Sequence, residues 1–399
     1  MKDDSNVKLG KCLLHFWNTP GHTLESSSIF LCDPDIKKSQ VDSFTNTDDD
    51  QEMIFSLNPK AVFTGDTIFI GDVGRPDLAV SAQNNIKKED LSGMMFDTVQ
   101  RFKKLPDDLT MFPGHGAGSA CGKNISNASS CTIGNQKKKN YAFNINNLQE
   151  FINVHTSDIP APPSYFFYDV QMNQNEKILD VDEVLKRGLN PLKPLEFHDK
   201  ILTNNYHIID CRFLNDFSKS FIPGSVLAPL NDNMAIYAAQ SFVDFEKPVL
   251  LVAYPGTEKE CMKRLARTGI DNFEGFLHTF YDYYLEGFPI DKINSINPKD
   301  LYDIYSVGDN KINIVDVRNL SEFKNGHVDN AINAPLPVLN IIHEQLLKDK
   351  ELNYYVHCKG GLRSVIAYSY LKSQGFKNLK NIRGGFDKML KYGFKVIKK

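Results

Sequence analysis

Segment 356–364, with the sequence VHCKGGLRS, combines the residue types of a nucleophilic sulfur site. An apolar run typical of a buried strand ends at Cys358, and a helical pattern begins near Ser364. Because glycine adopts backbone angles closed to other residues, the short loop between them can turn successive N–H groups toward one point at a helix N-terminus. Such a cradle, next to a positive charge, favours a thiolate and then the negative terminal sulfur of a persulfide. The sequence therefore predicts Cys358 and Arg363 as catalytic, with a substrate-binding surround of Lys359, Gly360, Gly361, Leu362 and Ser364.

Three other loops supply side chains that commonly bind metal ions. His22 lies in NTPGHT, Asp66 in FTGDT and His115 in FPGHG, and each of these loops follows an apolar run. Polar groups on loops at strand ends are where sites are usually built. Imidazole and carboxylate groups suit Zn(II) or Fe(II), and two histidines with one carboxylate form the facial triad of non-haem iron. The sequence therefore predicts these three residues as metal ligands.

Two further residues lie on loops of the same kind. Arg75, in GDVGRPD, is predicted to hold a substrate carboxylate at the rim of the site, because a planar guanidinium can bind a carboxylate with two parallel hydrogen bonds. Cys121 follows His115 by six residues and is close to Lys123, a cation that favours the thiolate. Cys121 is a candidate to carry a persulfide, and a buried inert thiol is the alternative.

Composition bounds the class of protein and its partners. The 399 residues are 41% hydrophobic and 24% charged with a formal net charge of -3, which is ordinary for a globular protein and predicts neither nucleic acid nor a membrane as a partner. The sulfur chemistry expected of the Cys358 loop predicts small-molecule thiols and persulfides as partners, and formation of a homo-oligomer stays open. The seven cysteines include no C-x-x-C pair, which favours a reducing compartment, either the cytoplasm or the mitochondrial matrix.

An internal repeat with an offset of 106 residues divides the second half of the chain. Segments 208–230 and 314–336 share six residue types at this offset: Asp210, Arg212, Phe217, Ala228, Pro229 and Leu230 recur as Asp316, Arg318, Phe323, Ala334, Pro335 and Leu336. Short apolar runs alternate with amphipathic stretches in both copies, which indicates α/β domains with parallel sheets. The predicted domains are therefore 1–165, 170–290 and 291–399.

The first copy lacks the features of the Cys358 loop. Tyr254 is predicted to stand at the position of the nucleophile, Pro255 removes a loop N–H group, and no arginine occupies the anchoring position. The domain 170–290 is therefore expected to be catalytically silent and to act in docking or as a scaffold. Cys261 lies in a helical pattern and is predicted to pack in the core.

The last copy resembles a rhodanese (sulfurtransferase) domain in VDVR, EFKNGHVDNAINAPL, HCKGGLRS and RGGF, over nearly all of 295–399. The resemblance implies that Cys358 takes up a sulfane sulfur as a persulfide and passes it to a thiol or another nucleophile. Four residues separate Cys358 from Arg363, as in sulfurtransferases, whereas the related phosphatases have a loop longer by one residue. We therefore expect sulfur transfer rather than phosphoryl transfer.

The order GHT, GDT and PGHG resembles the metallo-β-lactamase fold, and GDVGRPDL and PGHGAGSACGKNIS narrow the resemblance to its persulfide dioxygenase branch. The implied architecture is a partial αββα sandwich followed by two rhodanese-like α/β domains. In this branch one Fe(II) per chain oxidises a low-molecular-weight persulfide, such as glutathione persulfide, to sulfite. By this resemblance, His22 and Asp66 match iron ligands, and His115 matches the neighbouring second metal position.

The first metal motif of that family, H-x-H-x-D-H, is absent from these 399 residues. The expected sandwich is therefore N-terminally incomplete, which leaves three alternatives: an incomplete chain, a partner that supplies the missing part, or a domain that has lost its activity. Two other functions also remain open. One is a pseudo-dioxygenase scaffold whose sole activity is sulfur transfer by Cys358, and the other is a thiolester hydrolase of the glyoxalase II type.

Overall fold

The computed structural model describes residues 5–32, 57–78, 86–116, 121–122, 125–157, 159, 162, 165–174, 180–231, 233–241, 244–307 and 312–398. Contacts divide the chain into two units, Met1–Ile159 and Pro160–Lys399. The first unit carries the loops of His22, Asp66 and His115, and the second carries both copies of the repeat. Every helix within the described ranges is too short or too polar to cross a bilayer.

An open sheet is the framework of the first unit. Its strands are β1 (Ser5–Leu9), β2 (Cys12–Asn18), β3 (Ser27–Cys32), β4 (Pro59–Gly65), β5 (Ile68–Phe69), β6 (Asp72–Val73), β7 (Thr110–Pro113) and β8 (Cys131–Thr132). Six of these described strands lie in the order β1-β2-β3-β4-β7-β8, and β5 and β6 form a separate pair. Strands β4 and β7 are parallel, and β2 runs in the same direction because β3 is antiparallel to both of its neighbours. The carboxyl ends of β2, β4 and β7 therefore meet at one edge of the sheet.

Helices cover one face of this sheet. They are α1 (Lys88–Lys103), α2 (Ile133–Lys139), α3 (Tyr141–Asn144) and α4 (Leu148–Thr156). The buried Trp17 ring contacts Phe30 at 4.9 Å and Phe102 of α1 at 5.9 Å. Side chains alternate along a strand, so Phe63 and Phe112 point to the other face, where they stack at 5.5 Å and remain 42% and 38% exposed. This face of the sheet therefore exposes a stacked pair of aromatic side chains.

The first copy of the repeat forms a parallel sheet. Its elements are α5 (Phe166–Gln174), α6 (Val181–Gly188), β9 (Pro191–Leu192), α7 (Pro194–Leu202), β10 (His207–Asp210), α8 (Leu214–Lys219), β11 (Ser225–Leu227), α9 (Met234–Ala239), β12 (Val249–Val252), α10 (Glu258–Ala266), β13 (Phe273–Leu277) and α11 (Phe280–Leu285). Five described strands lie in the order β11-β10-β12-β13-β9, and all four pairings are parallel. Strand β12 is buried along its whole length, as expected for a sheet covered on both faces.

The second copy repeats this arrangement. Its elements are β14 (Ser295–Ile296), α12 (Pro298–Val307), β15 (Asn313–Asp316), α13 (Leu320–Lys324), β16 (His327–Val328), β17 (Ile332–Asn333), α14 (Leu339–Leu346), β18 (Asn353–His357), α15 (Leu362–Ser373), β19 (Asn378–Ile382), α16 (Gly385–Met389) and β20 (Val396–Ile397). Its five-stranded described sheet has the order β14-β19-β18-β15-β17, which is the order of the first copy read from the opposite edge. The predicted α/β class with parallel sheets is therefore confirmed.

A buried ion pair recurs at the carboxyl ends of β10 and β15. Arg212 Nη2 lies 2.7 Å from Asp210 Oδ2, and Arg318 Nη2 lies 2.6 Å from Asp316 Oδ2. Each guanidinium also donates to a backbone carbonyl eight residues further along the chain. Because a buried charge is costly unless it is paired and hydrogen bonded, these contacts fix the turn that follows each strand.

The two copies share one hydrophobic core. A single cluster joins Val226 of the first copy to Val356 and Ile366 of the second. Helix α15 packs against β11, and the backbone N–H of Leu227 donates to Ser369 Oγ at 3.0 Å. A buried donor of one copy therefore has its acceptor in the other.

We expect Ser369→Ala to lower the free energy of unfolding by about 1–3 kcal/mol, because it leaves the buried N–H of Leu227 without this acceptor. Urea denaturation of the full chain, followed by far-ultraviolet circular dichroism, measures the change. The matched control is Ser373→Ala, because Ser373 lies on the same helix and its hydroxyl donates to the helix carbonyl of Tyr370. An equal loss in the two variants would contradict the prediction.

Candidate active site and metal centre

Cys358 lies directly after β18, at the point where the chain turns into α15. Its side chain is buried, and the N–H of Gly361 donates to Sγ at 3.1 Å. Gly361 has a φ of 126°, which residues with a Cβ rarely adopt, so the turn requires a glycine here. Because the loop enters the first turn of α15, the partial positive charge of the helix N-terminus favours a negative charge on the sulfur.

A second glycine turn supports this loop from behind. The N–H of Phe386 donates to the carbonyl of Cys358 at 2.8 Å, and the N–H of Asp387 donates to the carbonyl of Lys359 at 3.3 Å. A Cβ on Gly385 would overlap both of these carbonyl oxygens, and Gly385 has a φ of 59°. The RGGF segment therefore holds the Cys358 loop by close backbone contact.

The charge of Arg363 is paired with an acid. Its Nη1 and Nη2 donate to the two carboxylate oxygens of Glu322 at 2.6 and 3.0 Å. Burial raises the pKa of Glu322, but the hydrogen bond and charge of Arg363 outweigh that effect and hold the pKa below its ordinary value. The positive charge predicted beside the loop is therefore paired with a carboxylate. Glu322 was missed in the sequence, although its repeat counterpart, Asp216, is also acidic.

The remaining residues predicted for the loop have different surroundings. Lys359 and Gly360 are exposed, whereas Leu362 packs against the core that the two copies share. Ser364 Oγ is buried, 2.7 Å from Asn381 Oδ1 and 2.9 Å from the carbonyl oxygen three residues earlier. Ser364 therefore ties the start of α15 to β19, and Lys359 and Gly360 form the exposed part of the loop.

A buried histidine that the sequence analysis did not assign lies next to Cys358 in the chain. His357 Nδ1 lies 3.2 Å from the carbonyl oxygen of Cys358, and Nε2 lies 3.8 Å from Asp316 Oδ2. Burial lowers the pKa of His357, so the ring is neutral near pH 7. His357 therefore acts as a rigid support for the loop and adds no charge next to the sulfur.

The strand register corrects the position predicted for Tyr254. The aspartates that end β10 and β15 pair with Val252 and His357, respectively. Ala253 therefore stands at the position of Cys358, and Tyr254 follows it. The first copy still has no nucleophile at this point. The sequence could not reveal the register, because no residue type shared by the two loops fixes their alignment.

The loops of His22, Asp66 and His115 meet at the edge where β2, β4 and β7 end. His22 Nε2 lies 3.7 Å and His115 Nε2 lies 3.3 Å from the same oxygen, Asp66 Oδ2. They meet because the three preceding strands run in the same direction. Two imidazole nitrogens around one carboxylate oxygen are donors that a divalent transition metal can bind.

Hydrogen bonding and close packing fix this arrangement. His22 Nδ1 lies 2.9 Å from the carbonyl oxygen of Arg75. Because a carbonyl oxygen only accepts, Nδ1 carries the proton and Nε2 presents its lone pair toward Asp66. A Cβ on Gly74 would overlap the carbonyl of Asp66, and a Cβ on Gly114 would crowd the Asp66 carboxylate. The backbone at Gly74 and Gly114 therefore packs closely around Asp66.

Cys121 lies within the same cluster. His22, Asp66 and Cys121 each offer one ligand atom, and these atoms all lie within 4.8 Å of one another. The carbonyl of Cys121 accepts from the N–H of Arg75 at 2.9 Å. A thiolate is a good ligand for iron or zinc, so Cys121 is a candidate metal ligand as well as the predicted persulfide carrier. Lys123, predicted to lie beside it, is outside the described residues.

Arg75 is buried in the first unit. It is 3% exposed, and its Nε and Nη2 donate to the two carboxylate oxygens of Asp77, each at 2.6 Å. An internal carboxylate therefore occupies the side of the guanidinium that was predicted to bind a substrate carboxylate. The backbone carbonyl of Arg75, rather than its side chain, contacts His22. The nearby acid in GRPD was the sequence signal for this pairing.

Comparison with known proteins defines the last domain. Residues 297–391 match the Rhodanese-like domain family. The tRNA uridine(34) hydroxylase of Buchnera aphidicola subsp. Baizongia pistaciae is 38% identical over 97 residues, which cover 22% of this chain and 30% of that protein. The Yersinia enterocolitica protein of the same name is 31% identical over 129 residues, which cover 31% of this chain and 32% of that protein. The chain thus spans about a third of the length of these curated relatives.

A solved structure extends the similarity. The crystal structure of a metallo-beta-lactamase from Staphylococcus aureus subsp. aureus COL has a TM-score of 0.53 and 26% identity, and the match covers 69% of this chain and 70% of that chain. The chain is therefore a mixed α/β protein that is similar in fold to this metallo-beta-lactamase structure and carries a rhodanese-like domain at residues 297–391. The C-terminal domain is rhodanese-like, of the sulfurtransferase type.

We expect Gly385→Ala to lower the free energy of unfolding by about 1–3 kcal/mol and to slow sulfur transfer about tenfold or more, because the added Cβ displaces the Cys358 loop. Urea denaturation and thiosulfate-to-cyanide sulfur transfer measure the two effects. The matched control is Gly287→Ala, because Gly287 has a φ of 76° and no described atom within 4 Å of the added Cβ. Equal sulfur transfer by the two variants would show that the contact is unimportant.

Proposed function

We propose that this chain transfers sulfane sulfur through a persulfide on Cys358, and that its first unit oxidises a low-molecular-weight persulfide of the glutathione persulfide type to sulfite at an iron site. One observation carries the transfer reaction: the Gly361 N–H donates to Cys358 Sγ within a rhodanese-like domain. The oxidation is supported by two imidazoles that converge on one oxygen of Asp66 and by the resemblance of the surrounding loops.

Sulfur transfer consists of two displacements at sulfur. The Cys358 thiolate attacks the outer sulfur of a donor R–S–S–H, the S–S bond breaks, and R–S⁻ leaves with the electron pair. With thiosulfate as the donor, sulfite is the leaving group. An acceptor thiolate then attacks the outer sulfur of the Cys358 persulfide and releases the Cys358 thiolate. The Gly361 N–H and the N-terminus of α15 stabilise the negative sulfur before and after each displacement.

The oxidation combines one persulfide, one O2 and one water to give one thiol, one sulfite and two protons. Iron, when bound, supplies the activation of O2. His22 and Asp66 would hold it, and Cys121 and His115 are further donors beside them. The imidazole, carboxylate and thiolate groups of this cluster fit Fe(II). Because His22 donates Nδ1–H to the carbonyl of Arg75, its Nε2 is available as a ligand.

The two reactions complement each other chemically. Sulfite produced by the oxidation is an acceptor for the outer sulfur of the Cys358 persulfide. That displacement forms thiosulfate and restores the Cys358 thiolate, so no further reductant is needed. Sulfane sulfur that has not been oxidised is thereby converted into thiosulfate, which is less reactive than a persulfide.

A second candidate is sulfur transfer alone, with the first unit as a scaffold. The exposed Phe63 and Phe112 favour it, because apolar side chains grouped on a surface mark a site where another protein can bind. The relatives named tRNA uridine(34) hydroxylase raise oxidation of a tRNA uridine as a third candidate, on matches that span about a third of those proteins. Thiolester hydrolysis of the glyoxalase II type, which uses two metals, also remains a candidate.

Cys358→Ser is expected to abolish thiosulfate-to-cyanide sulfur transfer, because the serine hydroxyl cannot form a persulfide. Mass spectrometry should show one added sulfur atom on the Cys358 peptide of the native chain after incubation with thiosulfate, and none in the variant. The control is Cys261→Ser, because Cys261 is fully buried in the first copy. Activity retained by Cys358→Ser would refute the assignment of the nucleophile.

Asp66→Asn is expected to weaken iron binding about tenfold or more, because it removes the carboxylate on which both imidazoles converge. Elemental analysis after anaerobic reconstitution with Fe(II), and O2 uptake with glutathione persulfide, measure binding and activity. Asp107→Asn is the control, since the Asp107 side chain is 71% exposed and pairs with Lys137.

A parallel variant, Cys121→Ser, separates the two roles of Cys121. Loss of iron identifies it as a ligand, whereas retained iron with slower O2 uptake identifies it as a persulfide carrier. A native chain that binds no iron and consumes no O2 would leave sulfur transfer as its sole activity. Full iron content in Asp66→Asn would place the metal elsewhere.

A further inference from the structure

A cleft opens at the carboxyl ends of β10 and β12, at the place in the first copy that corresponds to the Cys358 loop. It has a volume of about 850 Å³, which lies within the range of small-molecule sites. Its walls include the rings of Tyr254, Phe280, Tyr281 and Tyr284. A copy without a nucleophile therefore has a cleft of ligand size with aromatic walls.

Three exposed residues of the first copy differ in chemical type from their counterparts in the second copy. At the offset of 106, Asn319, Asp387 and Lys391 correspond to Phe213, Tyr281 and Leu285. The three side chains of the first copy are 56%, 66% and 61% exposed. Of these three, Tyr281 lines the cleft and Phe213 contacts the Tyr254 ring at 5.2 Å, so exposed aromatic side chains stand at the cleft where the related domain has polar or charged residues.

Polar contacts hold the aromatic walls in place. The Tyr254 hydroxyl donates to Asp216 Oδ2 at 2.6 Å and accepts from the N–H of Phe213 at 3.1 Å. The Arg212 guanidinium lies 3.5 Å from the centre of the Phe280 ring. Because these rings are already fixed, a ligand that stacks on them has little side-chain entropy to overcome.

The loop at the base of the cleft is not built for an anion. Pro255 has no N–H group, and the N–H of Gly256 donates to Glu258 Oε1 at 3.1 Å. The N–H of Thr257 donates to the carbonyl of Tyr254 at 3.0 Å. The chain itself therefore uses the loop N–H groups that could otherwise face a ligand.

The cations of the cleft are also paired. Arg212 Nη2 lies 2.7 Å from Asp210 Oδ2, and Lys219 Nζ lies 3.7 Å from Asp216 Oδ1. Within the described lining, the acids Asp216 and Asp282 balance Arg212 and Lys219 in number. A ligand with a net charge would thus gain little from this cleft, whereas an uncharged ring would cover its apolar walls.

We propose that the cleft of the silent copy binds a small molecule through a flat, uncharged aromatic ring system that stacks on its tyrosine side chains. The inference is independent of the chemistry of Cys358 and of the iron site. It gives the first copy a ligand-binding role in place of the lost nucleophile.

The test uses the full chain and naphthol, a neutral two-ring probe, in isothermal titration calorimetry. Tyr281→Asp introduces the residue type of the second copy and is expected to weaken naphthol binding about tenfold or more. The control is Leu202→Asp, because Leu202 is 69% exposed on α7 and lies outside the cleft lining, so naphthol should bind as in the native chain. Naphthalene sulfonate, which adds a negative charge to the same rings, is expected to bind about tenfold more weakly than naphthol.

Equal naphthol affinity in the two variants would place the binding elsewhere and overturn the proposal, and so would tighter binding of the sulfonate. Sedimentation velocity tests a second copy of the chain as the alternative occupant. If the native chain binds no naphthol and self-associates, and Tyr281→Asp abolishes the self-association, the cleft is a protein interface and the proposal is overturned. Sulfur transfer by Cys358 at the native rate in both variants verifies that the second unit is folded.

Discussion

The Cys358 loop of the second unit depends on two glycines, Gly361 for its positive φ and Gly385 for its close approach to the loop backbone. Gly361 turns its N–H toward the sulfur of Cys358, and Gly385 lets the chain pass against the carbonyls of the same loop. The sulfur is therefore held by backbone groups, whose positions are set by β18, β19 and the start of α15. The buried pair of Asp316 and Arg318 fixes the neighbouring turn, so that the geometry around the sulfur is rigid before any donor binds.

Comparison of the two copies of the repeat shows which contacts maintain the fold and which residues differ at the reactive loop. Both copies keep the buried aspartate–arginine pair, an aromatic ring under the guanidinium and the same strand order. They differ in the loop, where Ala253 occupies the position of Cys358, and in the acid beside it, which binds Tyr254 in the first copy and Arg363 in the second. The strand order and the buried pair recur with and without a cysteine in the loop, so this scaffold does not require the nucleophile.

The first unit follows a different rule, in which strand direction brings distant side chains together. His22, Asp66 and His115 are far apart in sequence, yet they meet because β2, β4 and β7 end at one edge. The same sheet exposes a stacked pair of phenylalanines on its other face. A metal-type cluster and an uncovered apolar face thus occur in one domain, which is why iron content is the measurement that decides between an oxygenase and a scaffold.

The sequence by itself determined the α/β class, the repeat and the types of the chemical groups, because hydrophobic periodicity, glycine-flanked loops and an offset of 106 are local or directly countable features. The tertiary structure alone decided which groups meet. It paired Arg363 with Glu322 and Arg75 with Asp77. It placed Cys121 near His22 and Asp66, and it showed that Ala253, rather than Tyr254, stands at the position of Cys358. These outcomes depend on strand register and on distances between segments remote in the chain. No local pattern encodes such distances, because they are set by the packing of the whole core.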